Sequence, residues 1–340
     1  MTISTNPVPS SVSGGAALSR RWRDIGLLVG LIVLVVAGLV ALALATGWEE
    51  TLAGLKNLNV AQISILLVLS LVNYGFRGLR WHLFAGRLGL PTKLVANVRQ
   101  FIGGFAMSVT PGRVGELVRM RWIRRETGWP FDKTAPLVLV DRSADLAAMA
   151  ILLALALAFS TTGIAGGAPV VMLALIAAYI ATRPELMRTA ANLGHSLTGK
   201  RLPKLFARIR RAAMSLKAFQ GPTTLMAAGA LGVIGWMAEG WAFHLLLVWM
   251  GAQIDLWMAL AIFIFATMAG GLTGAPGGLG GAEAAMVGLL ALQGVPLEIA
   301  VPATLIIRLT TLWFAIGLGL LVFPWAERQS QKASHGLENN

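Results

Sequence analysis

Long uncharged apolar runs alternate with short polar segments along this chain, and their lengths predict membrane-spanning helices. A helix needs about 20 mostly apolar residues to cross a bilayer, and it satisfies its own backbone hydrogen bonds in lipid. The 37 residues of 146–182 carry no charge, and glycines with a proline in the middle predict two spans joined by a tight turn. We expect six crossings: 25–48, 60–84, 146–182 as two, 223–250 and 299–323. Three of them contain charges, which are Arg77 and Arg80 near the end of 60–84, Glu239 in 223–250 and Arg308 in 299–323. For 25–48 the alternative is a cleavable signal peptide, but the run is longer than the usual apolar region, which favours a retained helix.

Two further apolar segments, 94–107 and 257–272, each run into a glycine- and proline-rich break and then into a second short helix. Neither half crosses a bilayer comfortably. Broken backbone at membrane depth is tolerated where it lines protein or a wet cavity. We therefore predict two re-entrant hairpins, over 94–125 and 257–294, with an ordinary pair of kinked spanning helices as the alternative.

The distribution of lysine and arginine among the loops orients the chain. With the N-terminus inside, the predicted outer loops carry one cation, Lys56, and four acids, whereas the inner connection 183–222 carries nine cations. Both termini are therefore expected on the cytoplasmic side of a bacterial cytoplasmic (inner) membrane. An apolar stripe over 205–219 predicts a basic amphipathic helix on anionic headgroups, with a solvated basic linker as the alternative.

The composition supports a membrane protein. Of the 340 residues 56% are hydrophobic and 13% charged, with 28 Lys and Arg against 15 Asp and Glu, a net charge of +13. Soluble domains carry about 25% charged residues, so a basic nucleic-acid binder is disfavoured. The chain has no cysteine, which excludes disulfides and thiolate sites, and its four histidines lack metal-ligand spacing, so no cofactor is expected. The predicted fold class is an all-α polytopic membrane protein.

A short pattern occurs twice and divides the chain into two halves. Pro-Gly-x-Val-Gly at 111–115 is matched by Pro-Gly-x-Leu-Gly at 276–280, and an arginine follows the proline by 31 and by 32 residues. Each half is predicted as a span, a broken hairpin and an arginine-bearing span, and the predicted topology gives the halves opposite orientations. Inverted repeats with interrupted helices point to a transporter site at the repeat interface. The expected segments are a cytoplasmic tail 1–24, the first helix and outer loop 25–60, the first repeat 61–160, the connecting span and basic segment 161–222, the second repeat 223–323 and a cytoplasmic tail 324–340.

Ionisable residues inside the predicted membrane segments are the candidate functional residues, because a charge at the bilayer centre costs about 2.5–3.5 kcal/mol and usually faces a cavity or a partner. Asp141 and Asp145 are four residues apart and share a helix face, with Arg142 turned aside. Arginine forks and free N–H groups at the glycine breaks suit a lipid phosphate. The substrate-binding candidates are Arg80, Arg113, Glu116, Arg119, Asp141, Arg142, Asp145, Glu239, Glu283 and Arg308, and the hairpin breaks are Pro111, Gly112, Gly115, Pro276, Gly277, Gly278 and Gly280.

The alternative for these charges is purely structural. Arg142 would pair with Glu116 and Arg308 with Glu283, so that the hairpins are held to the spans. Glu239 would be either a proton-coupling carboxylate or a neutral structural one. No residue is assigned a catalytic role.

These motifs resemble the membrane region of the lysylphosphatidylglycerol synthase family of flippase-like integral membrane proteins. The resemblance covers about 20–325 and rests on Arg77-x-x-Arg80-Trp81, the block from Thr110 to Arg119, Asp141-Arg142-x-x-Asp145, the hairpin from Pro276 to Glu283, and Arg308-Leu309-Thr310. It implies movement of aminoacylated phosphatidylglycerol or another polar-headgroup lipid between leaflets. The lysyl-transferring members carry a large soluble C-terminal domain that does not follow the last span here, so lysyltransferase activity is not expected.

Three functions follow as expectations. The first is a transporter of an aminoacyl-phospholipid or a polyprenyl-phosphate-linked lipid, with membrane lipids and anionic headgroups as partners. The second is a non-transporting membrane partner of a lipid-modifying enzyme such as a glycosyltransferase, because the resemblance includes relatives found beside such enzymes. The third, an intramembrane lipid transferase with Glu116 or Asp141 as base, is the weakest, because nothing positions a second substrate.

Overall fold

The computed structural model describes residues 58–110, 117–160, 167–197 and 216–338. Every regular element within these ranges is helical, so the all-α prediction is confirmed for them. The predicted tail 1–24, the first span 25–48 and residues 198–215 of the basic connection lie outside the described residues. The same holds for the break of the first hairpin, with Pro111, Gly112, Arg113, Gly115 and Glu116.

The helices follow one another with short connections. They are α1 (Val60–Arg87), α2 (Leu94–Gly104), α3 (Val118–Thr127), α4 (Phe131–Phe159), α5 (Gly167–Thr182), α6 (Pro184–Leu197), α7 (Pro222–Trp249), α8 (Leu256–Leu272), α9 (Gly281–Leu292), α10 (Leu297–Arg308) and α11 (Phe314–Glu338). Three-residue-per-turn helical segments lie at Phe105–Val109, Leu216–Phe219 and Pro276–Gly278, and a π-helical turn at Leu309–Trp313 joins α10 to α11.

Four helices in the described ranges are long and apolar enough to cross a membrane: α1, α4, α7 and the continuous helix Leu297–Ser334. The predicted crossing in the second half of 146–182 is shorter, since α5 has 16 residues. Helix α4 begins at Phe131, well before the uncharged run that starts at 146. The uncharged run therefore begins later than the helix, because Asp141 and Asp145 are paired inside the protein with arginines of α1.

Local signals in the sequence explain where several helices begin and end. Asn59 caps α1 by accepting a hydrogen bond from the Gln62 backbone N–H at 2.9 Å, and the Gln62 side chain returns one to the Asn59 N–H, which is a capping box. Asp255 caps α8, because its carboxylate accepts from two backbone N–H groups of the first turn. Gly128, with a φ of 73°, ends α3 in the left-handed conformation that glycine adopts without strain.

Packing between the two predicted halves is reciprocal. Helix α1 packs along α7, and Gly232 of α7 permits a close approach, since a Cβ there would lie 2.8 Å from the Ala148 Cβ of α4. Helix α4 packs on α8, the first arm of the second hairpin, while α11 packs on α2 and α3, the arms of the first hairpin. Each hairpin therefore contacts the last helix of the other half. The opposite orientation of the halves remains a prediction.

The predicted C-terminal tail 324–340 is helical along most of its length. Helix α11 continues to Glu338, and Ala326, Glu327 and Ser330 are buried. Their burial follows from the contact between α11 and α3, where the Glu327 carboxylate accepts hydrogen bonds from α3 side chains. This polar contact extends the helix well beyond the apolar run from which its length was predicted.

Candidate functional site

Four buried charged residues form a hydrogen-bonded network that links α1 to α4. The Arg80 guanidinium donates to Asp141 at 2.8 and 3.1 Å and to Asp145 at 2.6 Å, and Arg77 donates to the other oxygen of Asp145 at 2.7 Å. All four residues are at most 5% exposed. The two arginines and two aspartates balance in charge, which is the condition under which buried charges are tolerated.

The surroundings of Arg77 hold its guanidinium in place. It lies 5.0 Å from the centre of the Trp236 ring and 5.7 Å from that of Phe101, both within the range of cation–π attraction. Its Nη1 donates to the Asn73 side chain at 3.4 Å, and the indole Nε1 of Trp236 donates to Asp145 at 3.2 Å. The same carboxylate thus anchors Arg77 and the aromatic ring beside it.

A second ion pair joins the other hairpin to the last spanning helix. Arg308 Nε donates to Glu283 Oε1 at 2.5 Å, and Arg308 Nη2 donates to the backbone carbonyl of Gly277 at 2.7 Å. Both charged residues are 5% exposed. The predicted pairing of Arg308 with Glu283 is therefore present in the structure. It also secures the backbone of the break.

The second break is built from the predicted glycines. Gly277, Gly278 and Gly280 have φ angles of 61°, 72° and 81°, which L-residues with a side chain rarely adopt. The chain also passes very close to α8, since a Cβ on Gly278 would lie 3.0 Å from the Gly270 backbone carbon. The break that begins at Pro276 thus depends on glycine both for its dihedral angles and for space.

A cavity of about 60 Å³ lies where helices of both halves meet. The turn Phe105–Val109 contacts the turn Pro276–Gly278 of the other hairpin, so the two hairpins meet beside it. The charged residues of its wall are Arg77, Glu239 and Arg308; the remaining wall residues are Tyr74, Phe105, Ser108, Trp236, Phe263, Thr267, Thr311, Leu312 and Ala315. Two of the predicted substrate-binding residues, Glu239 and Arg308, therefore face one cavity.

Arg119 lies in a different environment from the one predicted for a phosphate partner. Its guanidinium carbon lies 5.2, 4.6 and 5.7 Å from the ring centres of Trp81, Phe101 and Phe105. A Cβ on Gly104 would lie 2.0 Å from Arg119 Nε, so α2 accommodates this side chain only with glycine at that position. Arg119 is 1% exposed and does not line the cavity.

The remaining predicted residues connect to the cavity indirectly. Arg80, Asp141 and Asp145 reach it through Arg77, and Glu283 reaches it through Arg308. Arg142 lies 3.7 Å from Asp145 with 29% of its side chain exposed. Its predicted partner, Glu116, is outside the described residues.

The sequence reasoning missed three kinds of cavity residue. Arg77 was predicted as an interruption of a span and as part of the family motif but not as a site residue, although its spacing of three from Arg80 places both on one helix face. Tyr74 and Trp236 carried no motif. The Tyr74 hydroxyl donates to the Thr311 carbonyl at 2.5 Å. Thr311 lies inside the π-helical turn, which no sequence pattern predicted.

His82 connects two helices through its side chain. The Asn97 side-chain amide forms a 2.7 Å hydrogen bond with His82 Nδ1, which ties α2 to α1. Within the ranges that the structure describes, no three His, Asp or Glu side chains come together as metal ligands.

Comparison with known proteins relates the chain to membrane proteins. Two UPF0104 membrane proteins of the archaeon Methanothermobacter thermautotrophicus (strain ATCC 29096 / DSM 1053 / JCM 10044 / NBRC 100330 / Delta H) are similar to the chain. One is 25% identical over 276 residues, which cover 76% of this chain and 81% of the relative. The other is 24% identical over 324 residues, which cover 87% and 94%. The profile of the lysylphosphatidylglycerol synthase TM region matches residues 26–319. That match covers α1 to α10, both hairpins and every charged residue of the cavity, so the predicted resemblance is confirmed and this integral membrane protein belongs to the lysylphosphatidylglycerol synthase TM-region family.

Proposed function

We propose that this protein moves a lipid with a phosphate-bearing polar headgroup between the leaflets of the cytoplasmic membrane. The observation that carries the proposal is the charged cavity between the two halves, with Arg77, Glu239 and Arg308 in its wall. Ionisable side chains kept at membrane depth commonly mark a substrate path. An aminoacyl-phospholipid or a polyprenyl-phosphate-linked lipid has a headgroup of this kind.

The two arginines supply the means of binding phosphate. A guanidinium presents a planar fork that fits two phosphate oxygens, and each of these forks is held by a carboxylate, Asp145 at 2.7 Å or Glu283 at 2.5 Å. The carboxylates keep the arginines neutralised when no headgroup is bound, because an uncompensated buried charge would cost several kcal/mol. Glu239 gives the cavity an acidic wall, which suits either an amine of the headgroup or a transported proton.

The size of the cavity sets a condition on transport. A volume of about 60 Å³ holds several water molecules, at about 15 Å³ each, but not a complete lipid headgroup. Passage therefore requires the contact between the turns Phe105–Val109 and Pro276–Gly278 to open. The reciprocal packing of each hairpin on the other half supports an exchange of contacts between two equivalent arrangements, as in transporters built from inverted repeats.

The predicted topology is part of this proposal and has its own test. The distribution of lysine and arginine predicts both termini on the cytoplasmic side. Because the chain contains no cysteine, single variants Lys56→Cys and Lys332→Cys report the side of each position by labelling with a membrane-impermeant maleimide. Lys332 is exposed on α11. In intact cells we expect labelling of Lys56→Cys only. The reverse result would contradict the topology.

Leaflet exchange in liposomes tests the transport itself. The purified protein is reconstituted with fluorescent phospholipids, aminoacylated phosphatidylglycerol or polyprenyl phosphate, and the accessible fraction is followed with a membrane-impermeant reagent. Arg308→Lys keeps the charge but loses the fork. Loss of one charge-assisted hydrogen bond, worth about 1.5–3 kcal/mol, predicts at least about a tenfold lower exchange rate. Arg87→Gln is the matched control, since Arg87 is an exposed arginine of α1.

Exchange no faster than in protein-free liposomes, for every lipid class, would refute the proposal. In that case a soluble lipid-modifying enzyme that co-purifies with the protein would favour the second function, a non-transporting membrane partner. Equal losses in Arg308→Lys and Arg87→Gln would show that exchange does not pass through the cavity.

A further inference from the structure

A second cluster of charges lies away from the cavity, where α3 meets α11. The Glu327 carboxylate accepts hydrogen bonds from Arg121 at 2.5 Å, from Arg125, and from the Trp122 indole at 2.8 Å. Gln331 adds a fourth donor at 3.1 Å. One carboxylate thus fastens the second arm of the first hairpin to the C-terminal helix.

This carboxylate is outnumbered by the cations around it. Arg121 and Arg125 keep 32% and 24% of their side chains exposed, whereas Glu327 keeps 10%. The buried Arg121 Nε has no hydrogen-bond acceptor within the described residues. Arg124, which directly precedes Arg125 on α3, and Arg328 on α11 are exposed. The cluster therefore has spare capacity for an anion.

The exposed side chains of α11 indicate which kind of anion could bind to the cluster. Positions Leu321, Trp325, Arg328 and Lys332 follow one another at helical spacing along α11 and all are exposed. Leu321 is 78% and Trp325 46% exposed. Apolar, then aromatic, then cationic is the order of side chains from the acyl region to the headgroups of a bilayer. We therefore expect the end of α11 that carries Glu327 to lie at headgroup level.

We propose that Arg121 and Arg125 form a binding site for the phosphodiester of an anionic phospholipid, and that Glu327 is the internal competitor for this site. The site takes a lipid rather than an acidic protein because α11, which carries Glu327, also exposes Leu321 and Trp325. When a headgroup binds, the two arginines exchange the carboxylate for phosphate oxygens, for which their planar forks are equally suited. The α3 arm is then released from α11. The bound lipid need not be the transported one.

Lipid binding, measured without transport, tests this site. The full-length protein is reconstituted into nanodiscs of phosphatidylcholine, and the relative affinity for spin-labelled phosphatidylglycerol is measured by electron paramagnetic resonance. Arg121→Gln and Arg125→Gln are each expected to lower the affinity about fivefold, the effect of one interfacial cation, and the double variant about 25-fold. Arg124→Gln, an exposed neighbour on the same helix, is expected to change it less than twofold.

The competitor gives an effect of opposite sign, which loss of folding cannot imitate. Glu327→Gln is expected to raise the affinity at least about fivefold. Glu185→Gln is the matched control, since Glu185 is an exposed acid in the first turn of α6, so it removes the same charge without freeing Arg121 or Arg125. Equal gains in the two variants would reveal a general surface field and overturn the proposal.

Soluble glycerol phosphate separates a lipid site from a free phosphate site. We expect it to leave bound phosphatidylglycerol in place at millimolar concentration. Its displacement of the lipid would overturn the assignment to a membrane lipid. Equal affinities for phosphatidylglycerol and phosphatidylcholine in the unaltered protein would overturn the site as a whole, whatever the transport assay shows.

Discussion

Replacing Arg80 by methionine tests the buried network between α1 and α4. Within the described residues Arg80 is the only hydrogen-bond partner of the Asp141 side chain, at 2.8 and 3.1 Å, and Asp141 is 1% exposed. Arg80→Met therefore leaves a carboxylate in the interior without a partner. Removal of one member of a buried pair costs about 3–5 kcal/mol, and we expect a loss of unfolding free energy of that size.

Two companion variants test whether an unpaired buried charge causes this loss of stability. In Asp141→Asn the arginine keeps Asp145 at 2.6 Å, so the expected loss is smaller, about 1–3 kcal/mol. In the double variant no charge is stranded, because Asp145 keeps Arg77 at 2.7 Å and the Trp236 indole. The double variant should therefore be more stable than Arg80→Met alone.

The measurement is unfolding by SDS in mixed micelles, followed by tryptophan fluorescence. Arg87→Met on the exposed side of α1 is the control and should stay within about 0.5 kcal/mol of the unaltered protein. A cost below about 1 kcal/mol for Arg80→Met would refute the network as a balanced buried set. So would a double variant whose loss equals the sum of the single losses.

Three further predictions concern glycines where helices approach closely, with melting temperature in detergent as the common measurement. Gly232→Ala should destabilise by about 1–3 kcal/mol, because its Cβ would lie 2.9 Å from an arginine Nη1 and 2.8 Å from a methyl group; Gly229→Ala, with nothing within 4 Å, should be neutral or stabilising. Gly319→Ala should separate α11 from the first hairpin, because its Cβ would lie 2.2 Å from a backbone nitrogen; Gly317→Ala on the same helix, with open space, should not. Gly277→Ala should destabilise the second break through its φ of 61° and a 2.9 Å contact, and a melting temperature equal to that of the unaltered protein would contradict the role assigned to this turn.

The sequence predicted the parts of this fold that depend on apolar length and on helix-breaking residues. The spans at α1 and α7 follow from runs that exceed the bilayer thickness, and the second break follows from Pro276 and its glycines. The length of the uncharged run did not predict the start of α4, because it takes no account of charges that are paired with another helix. Asp141 and Asp145 stand inside a spanning helix only because Arg77 and Arg80 meet them from α1.

The candidate site was predicted in part for a similar reason. Intramembrane charge is expensive enough to mark residues, so Glu239 and Arg308 stood out, and the pairing of Arg308 with Glu283 was one of two alternatives. Charge alone does not distinguish an arginine in a cavity wall from an arginine surrounded by aromatic rings. Arg119 is surrounded by the rings of Trp81, Phe101 and Phe105. That distinction depends on which rings surround the guanidinium, which is a property of the assembled helices.

The order of the network along the chain has a consequence for how the protein enters the membrane during synthesis. Arg80 leaves the ribosome 61 residues before its partner Asp141, so α1 is delivered to the insertion machinery with two arginines that lack counter-ions. Each costs about 2.5–3.5 kcal/mol at the centre of an isolated helix. Helix α1 should therefore wait beside the translocon until α4 is made, and an insertion that lengthens the segment between them should lower the yield of membrane-integrated protein without altering any contact of the finished fold.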